Sequence, residues 1–207
     1  MGASNRLVDF ETEGFKPAVP LFVSRAWGIE ELSHPFRFEL QLSYSKDEKP
    51  DPAEILKKPA KLGIRIPSAA GGGTTTQWIH GVITQWEFHS VRGGSANAVA
   101  VFESQLARLH LFRKSRMYPK ITVDTVLQTI LKEELAADLL DFQVSGAPAT
   151  AEKESISQDG ETNLDFLHRL AEHYGIFYHL KLENQDWKKY TFTDNFSIPL
   201  EGPTDIQ

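Results

Sequence analysis

Glu161–Leu182, ETNLDFLHRLAEHYGIFYHLKL, holds a helix start, a helix stop and a strand in one short run. Thr162 followed by Asp165 forms a T-x-x-D capping box, in which the hydroxyl takes a free amide of the first turn and the carboxylate reaches back. Leu164, Leu167, Leu170, Ala171 and Tyr174 then recur at helical spacing and give one apolar stripe. Gly175 stands where a left-handed residue ends a helix. From Ile176 the period changes to two. Ile176, Tyr178, Leu180 and Leu182 face one way, and Phe177, His179 and Lys181 the other.

Upstream of this unit the chain reads as antiparallel strands. Phe36, Phe38, Leu40 and Leu42 alternate with Arg37, Glu39 and Gln41, and Leu62, Ile64 and Ile66 alternate with Gly63 and Arg65. Trp78, His80, Val82, Thr84, Trp86 and Phe88 fall at even spacing, which predicts one face of a longer strand. A turn at Gly93-Gly94-Ser95 leads to another strand over Ala98–Phe102. Strands joined by short Gly-rich loops predict a meander that closes into a barrel or a sandwich. After about Met117 the character changes. Thr122 caps a helix with the stripe Val123, Val126, Leu127, Ile130, Leu131 and Leu135, followed by a short strand at Asp141–Ser145. Gly146–Gly160 reads as a polar, turn-rich loop, and Tyr190–Thr193 as a last strand. The fold class is therefore mainly β with α+β character and a few short helices.

Composition narrows the chemistry. The chain has 207 residues and no cysteine, so thiolate nucleophiles, cysteine zinc sites and iron–sulfur clusters are excluded. MGASNRLVDFETEGF has no apolar core region and is not read as a signal peptide; Arg6 stands where a myristoylation motif requires Ser or Thr. No apolar run approaches the roughly 20 residues that span a bilayer. A net charge of −6 argues against generic nucleic-acid binding. Yet Arg108, Arg113, Lys114, Arg116 and Lys120 lie in a stretch, Leu106–Val123, without Asp or Glu. Removing those 5 from the 22 basic residues leaves 17 against 28 acids elsewhere, a net of −11. The segment reads either as a solvated connection or as a basic interface for an acidic partner, where charge sets orientation and on-rate.

Motifs that suggest catalysis are weak here. Trp78 and Trp86, sharing a strand face, would suit a sugar platform, but such aromatics more often pack in a core. Gly71-Gly72-Gly73 lacks the lysine of a phosphate cradle. His168 and His173 are about 140° apart around a helix, unlike the i, i+4 pair of zinc proteases. Asp165, His168 and Glu172 resemble an acid–base cluster, but a charged face opposite an apolar stripe is the ordinary exposed side of a helix. No catalytic, cofactor or metal residues are assigned.

ETNLDFLHRLAEHYGIFY is similar to the ETDLDF…RLLEEEGIYY signature of the VgrG (valine–glycine repeat protein G) family of type VI secretion spikes. These resemble phage late control protein D and other baseplate hub proteins. Leu21–Leu42, Asp51–Leu62, Trp78–Phe88 and Phe102–Leu131 match the same family in order. His110 departs from it, standing where Trp is common. The resemblance implies tail-hub-like β-barrel domains: a first hub barrel over residues 1–110 and a second, α+β hub domain over 111–207. It also allows Ser155–Gln158 to be extended.

The function implied is structural. The chain would adapt a trimeric spike to a hexameric tube of the haemolysin-coregulated type and help deliver effectors, without being an enzyme. Its partners would be two further copies in the complete spike, the tube protein and baseplate components. It would be made in the cytoplasm and exported when the machine fires. Family members run on into an OB-like domain and a β-helix needle, so the hub is expected to be incomplete at Gln207. The alternative is a stand-alone glycan- or peptide-binding or hydrolytic domain.

Overall fold

Alternating apolar residues build a sheet here because each strand has one face to bury. The structure, a computed structural model, describes residues 7–67, 73–135, 141–144, 151–183 and 186–193, with backbone alone for 141–144, 181–183 and 186–193. The strands in chain order are β1 (Val8–Thr12), β2 (Phe22–Ile29), β3 (Arg37–Ser45), β4 (Pro59–Pro67), β5 (Thr74–Arg92) and β6 (Ser95–Glu103). They continue with β7 (Arg113–Thr122), β8 (Asp141–Val144), β9 (Glu152–Thr162), β10 (Phe177–Glu183) and β11 (Asp186–Thr193). The described residues also form helices α1 (Pro52–Ile55), α2 (Val123–Glu134) and α3 (Asn163–Tyr174), with a 3-10 helix at Gln105–His110.

Six strands run in the order β1-β4-β5-β6-β3-β2, forming a curled half-barrel. The expected meander exists only as β4-β5-β6; β6 then pairs with β3 rather than with a later strand. Pairing of β6 with β5 ends at Glu103 opposite Val82, and beyond that point β11 takes the same side of β5, running parallel at Trp78 and Ile79. β11 also pairs with β8 and β10, while β7 and β9 form a two-stranded sheet of their own. The Gly93-Gly94 turn has both residues at positive φ, 56° and 91°, as a tight hairpin joining β5 to β6 requires.

The single-face reading of β5 is corrected. Ile83 pairs with Phe102 and Gln85 with Val101, leaving Thr84 as an inserted residue. Because side chains alternate, one inserted residue reverses the side chains that follow, here as far as a second irregularity at His89. Ile79 and Ile83 therefore point into the core before the bulge, and Trp86 packs against it afterwards. Trp78 lies on the other face, where Lys61 sits 4.2 Å above its ring. The two tryptophans form no shared platform.

Burial elsewhere follows the predicted stripes. Val123, Val126, Leu127, Ile130 and Leu131 of α2 are buried, as are Leu164, Leu167, Leu170 and Ala171 of α3. Ile176, Tyr178 and Leu180 are buried at period two, while Leu182 and Lys181 lie outside the residues whose side chains are described. These positions join Leu40, Leu42, Leu62 and Phe102 of the first sheet in one contiguous core. The loop reading of Gly146–Gly160 is corrected from Glu152 onward, where β9 begins; residues 146–150 lie outside the described residues. β9 is a strand despite its polar sequence because Ile156 and Gln158 are buried against the second half of the chain and β7 satisfies its backbone.

Candidate assembly surfaces and the histidine junction

Helix α3 is positioned by its ends. The Thr162 hydroxyl accepts from the Asp165 amide at 3.0 Å and donates to the Asp165 carboxylate at 2.6 Å. That hydroxyl, with the Thr162 amide, holds the Asp165 carboxyl below its ordinary pKa. Gly175, at φ 65°, ends the helix. Arg169 clamps Glu161 at 2.6 Å and reaches the Ser157 carbonyl at 2.7 Å, which ties α3 to the end of β9.

His168 is not a free member of an exposed face. Its Nε2 lies 2.7 Å from the hydroxyl of buried Tyr178, and the two rings stack with centroids 5.8 Å apart. The His34 ring, from the turn between β2 and β3, approaches the His168 ring at 5.5 Å. Desolvation, followed by the neighbouring His34 and His110, lowers the His168 pKa, while Asp165 and Glu172 pull the other way. Sequence reading misses this gathering because its members are distant along the chain and share no spacing. Asp165 and Glu172 are exposed, and Asp165 is engaged in the helix cap. Among the described residues, no three His, Asp or Glu side chains are placed to hold a metal ion. No described helix is long and apolar enough to cross a membrane.

The basic segment forms the end of the 3-10 helix and most of β7. Its charges have separate fates. Lys114 pairs with Glu134 of α2, and Arg116 pairs with Glu133 at 2.5 Å and Glu134 at 3.7 Å. Arg113 donates to the Gly160 carbonyl at 3.0 Å but is otherwise exposed, Lys120 is exposed, and Arg108 is half-buried. Leu111, Phe112 and Met117 stand exposed among them. A second apolar surface lies on β2, the edge strand of the half-barrel, where Phe22, Trp27 and Ile29 are exposed. Exposed apolar residues concentrated on the outermost described strand of a sheet are the usual mark of an interaction surface.

Residues 29–205 match the family described as phage tail baseplate hub (GPD). The chain is 32% identical over 182 residues to the type VI secretion system spike protein VgrG5 of Pseudomonas aeruginosa, which covers 85% of this chain and 21% of that protein. VgrG1c of the same organism is 26% identical over 80% of this chain and 22% of its own length. Thus the chain spans about a fifth of these curated relatives. Among solved structures, the Escherichia coli c3393 protein superposes with a TM-score of 0.74 at 25% identity, over 91% of this chain and 49% of its own. It is described as a type VI secretion component with structural similarity to the phage T4 tail proteins gp27 and gp5. A 43 kDa tail protein of prophage MuSo2 from Shewanella oneidensis shares the fold, with a TM-score of 0.60 at 15% identity over 90% of this chain and 52% of its own.

Proposed function

Because the chain belongs to the phage tail baseplate hub family, we propose that it is the hub portion of a VgrG-like spike, adapting a trimeric spike to a hexameric tube and helping to carry effectors outward. The observation that carries this reading is the match to a spike protein across 85% of the chain, reinforced by the fold shared with the c3393 secretion component. In this reading residues 1–110 and 111–207 are two hub domains, and three copies assemble around the spike axis. The tube protein and baseplate components bind the ring so formed. The chain is made in the cytoplasm and leaves with the spike on firing. Its work is mechanical: rigid packing and matched symmetry transmit the thrust, and no bond is made or broken.

The basic interface belongs to the same proposal, with its charge redistributed. Lys114 and Arg116 are neutralised by α2, so Arg113 and Lys120, with half-buried Arg108 and the apolar Leu111, Phe112 and Met117, form the face offered to an acidic partner. Charge on such a rim acts chiefly on orientation and on-rate. The alternative, a glycan-binding or hydrolytic domain, loses support from Trp78 and Trp86 on opposite faces and from His168 bound to Tyr178.

The test is co-expression with a haemolysin-coregulated tube protein, with masses read by light scattering after size exclusion. A trimer, or a complex with the hexameric tube protein, supports the hub. A chain that stays monomeric, ignores the tube protein and cleaves or retains glycans or peptides overturns it.

A further inference from the structure

The rings of His34 and His168 meet where the turn between β2 and β3 touches α3 and β10, with His110 close enough to act on His168 and His179 lining the cleft beside His34. Ser33 in that turn is left-handed, with φ 59°, a conformation that non-glycine residues hold only when their surroundings enforce it. What enforces it is β10. The Ser33 amide donates to the Tyr178 carbonyl at 2.8 Å, and the Tyr178 amide donates to the Ser33 hydroxyl at 3.3 Å. Tyr178 is itself fully buried, with its hydroxyl on His168 Nε2. His34, next to Ser33, then lies with its ring against that of His168. A strained turn, its two anchoring bonds and the titratable rings thus occupy one contact.

We infer that this contact is a proton-operated clasp: it is closed while His168 is neutral, and the Ser33 turn lets go of β10 as that ring becomes charged against His34. With Nε2 unprotonated, His168 accepts the Tyr178 hydroxyl proton; a charged ring donates to that oxygen instead, so protonation turns the bond round and re-aims the hydroxyl. Protonation also places positive charge on the half-buried His168 ring, whose centroid lies 5.5 Å from that of the exposed His34 ring. All facing groups enter the balance. Asp165 and Glu172 of α3 favour the charged ring, whereas desolvation, His34 from the turn and His110 from the 3-10 helix oppose it and prevail. Glu30, Glu31 and His179 line the cleft beside His34.

The sign follows. His168 has a lower pKa folded than unfolded, so the unfolded chain binds more protons between the two values. The clasp contributes fully above the ordinary histidine value of about 6.5 and weakens as pH falls through the lower folded one.

Amide hydrogen exchange at Ser33 and Tyr178, corrected for intrinsic chemistry, tests this between about pH 5 and pH 8, with the His168 ring titration followed by NMR. Protection at both amides is expected to fall about tenfold as His168 titrates, while Leu127 and Ile130 amides in α2 keep theirs. The double variant H34Q/H110Q, altering two exposed side chains, is expected to raise the His168 pKa and blunt the loss. If that variant does not fold, H34Q alone carries the comparison. Unchanged protection while His168 titrates overturns the clasp, as does a pH response the same in variant and wild type. Neither readout depends on assembly, so the result is independent of the hub reading.

Discussion

Replacing Thr162 with valine separates the hydroxyl from the volume it occupies. Thr162 is 7% exposed, so the isosteric side chain keeps the packing at the start of α3. What it removes is the acceptor for the Asp165 amide at 3.0 Å and the donor to the Asp165 carboxylate at 2.6 Å. Loss of an N-cap hydroxyl costs about 1–2 kcal/mol. The carboxylate adds little, because Asp165 is exposed and water replaces the lost donor. In a chain of this length that corresponds to a fall in melting temperature of about 2–8 °C. Thr162→Ser keeps the hydroxyl and gives up one methyl, costing about 0.8 kcal/mol or less. Both are measured by urea and thermal unfolding followed by circular dichroism. The acid limb adds a second reading. Asp165, held below its usual pKa by Thr162, contributes stability present above the ordinary carboxyl value and lost as pH falls through the depressed one. That acid-side loss shrinks in Thr162→Val. A valine variant as stable as wild type, or a serine variant that loses as much, would refute the assignment of the cap.

Gly175→Ala, at φ 65°, is expected to cost about 1–2 kcal/mol by urea titration, since a side chain is strained there even in open space. Gly28→Ala brings a Cβ within 2.2 Å of the Phe38 ring and 2.5 Å of the Arg37 carbonyl, so β2 shifts; a loss of about 1–3 kcal/mol and faster exchange along β2 are expected. Charge reversal separates the basic residues by role. Lys114→Glu with Arg116→Glu confronts Glu133 and Glu134 and lowers the melting temperature, whereas Arg113→Glu with Lys120→Glu changes stability by less than about 0.5 kcal/mol and weakens docking to the tube protein. Deleting Thr84 removes the bulge yet leaves Ile83, Gln85 and Trp86 in plain alternation opposite Phe102, Val101 and Ala100, so Trp86 stays on the core face and its near-ultraviolet signal is kept; loss of that signal would refute the assignment of the inserted residue.

Legibility divides along the range of the forces. The unit from Thr162 to Leu180 can be read because its determinants are local: a hydroxyl three residues from its amide, a stripe of period 3.6, a glycine at positive φ and then a period of two. Strand β2 cannot be read in that way. Its outward residues include Phe22, Trp27 and Ile29, so apolar and polar positions do not alternate. Strand β7 is hidden for the opposite reason. Its half-buried side chains include Lys114 and Arg116, whose charges are compensated by Glu133 and Glu134 on α2, so no apolar period marks it. The basic segment reads as one patch in sequence but divides in space, because only tertiary packing decides which cation meets an acid.

The bulge at Thr84 and the histidine junction show a further limit. Even spacing places Trp78 and Trp86 on one face until a single inserted residue, which no periodicity reveals, sends them to opposite faces. His34, His110 and His168 reach one another only because the half-barrel and α3 share a core. Both failures fall where backbone irregularity or long-range contact overrides pattern. The two exposed apolar surfaces follow the same logic. A residue such as Trp27 that breaks alternation toward solvent has no internal reason to do so, and on an edge strand a covering partner supplies one. That departure from pattern is itself the physical argument for assembly, and it stands independently of family likeness.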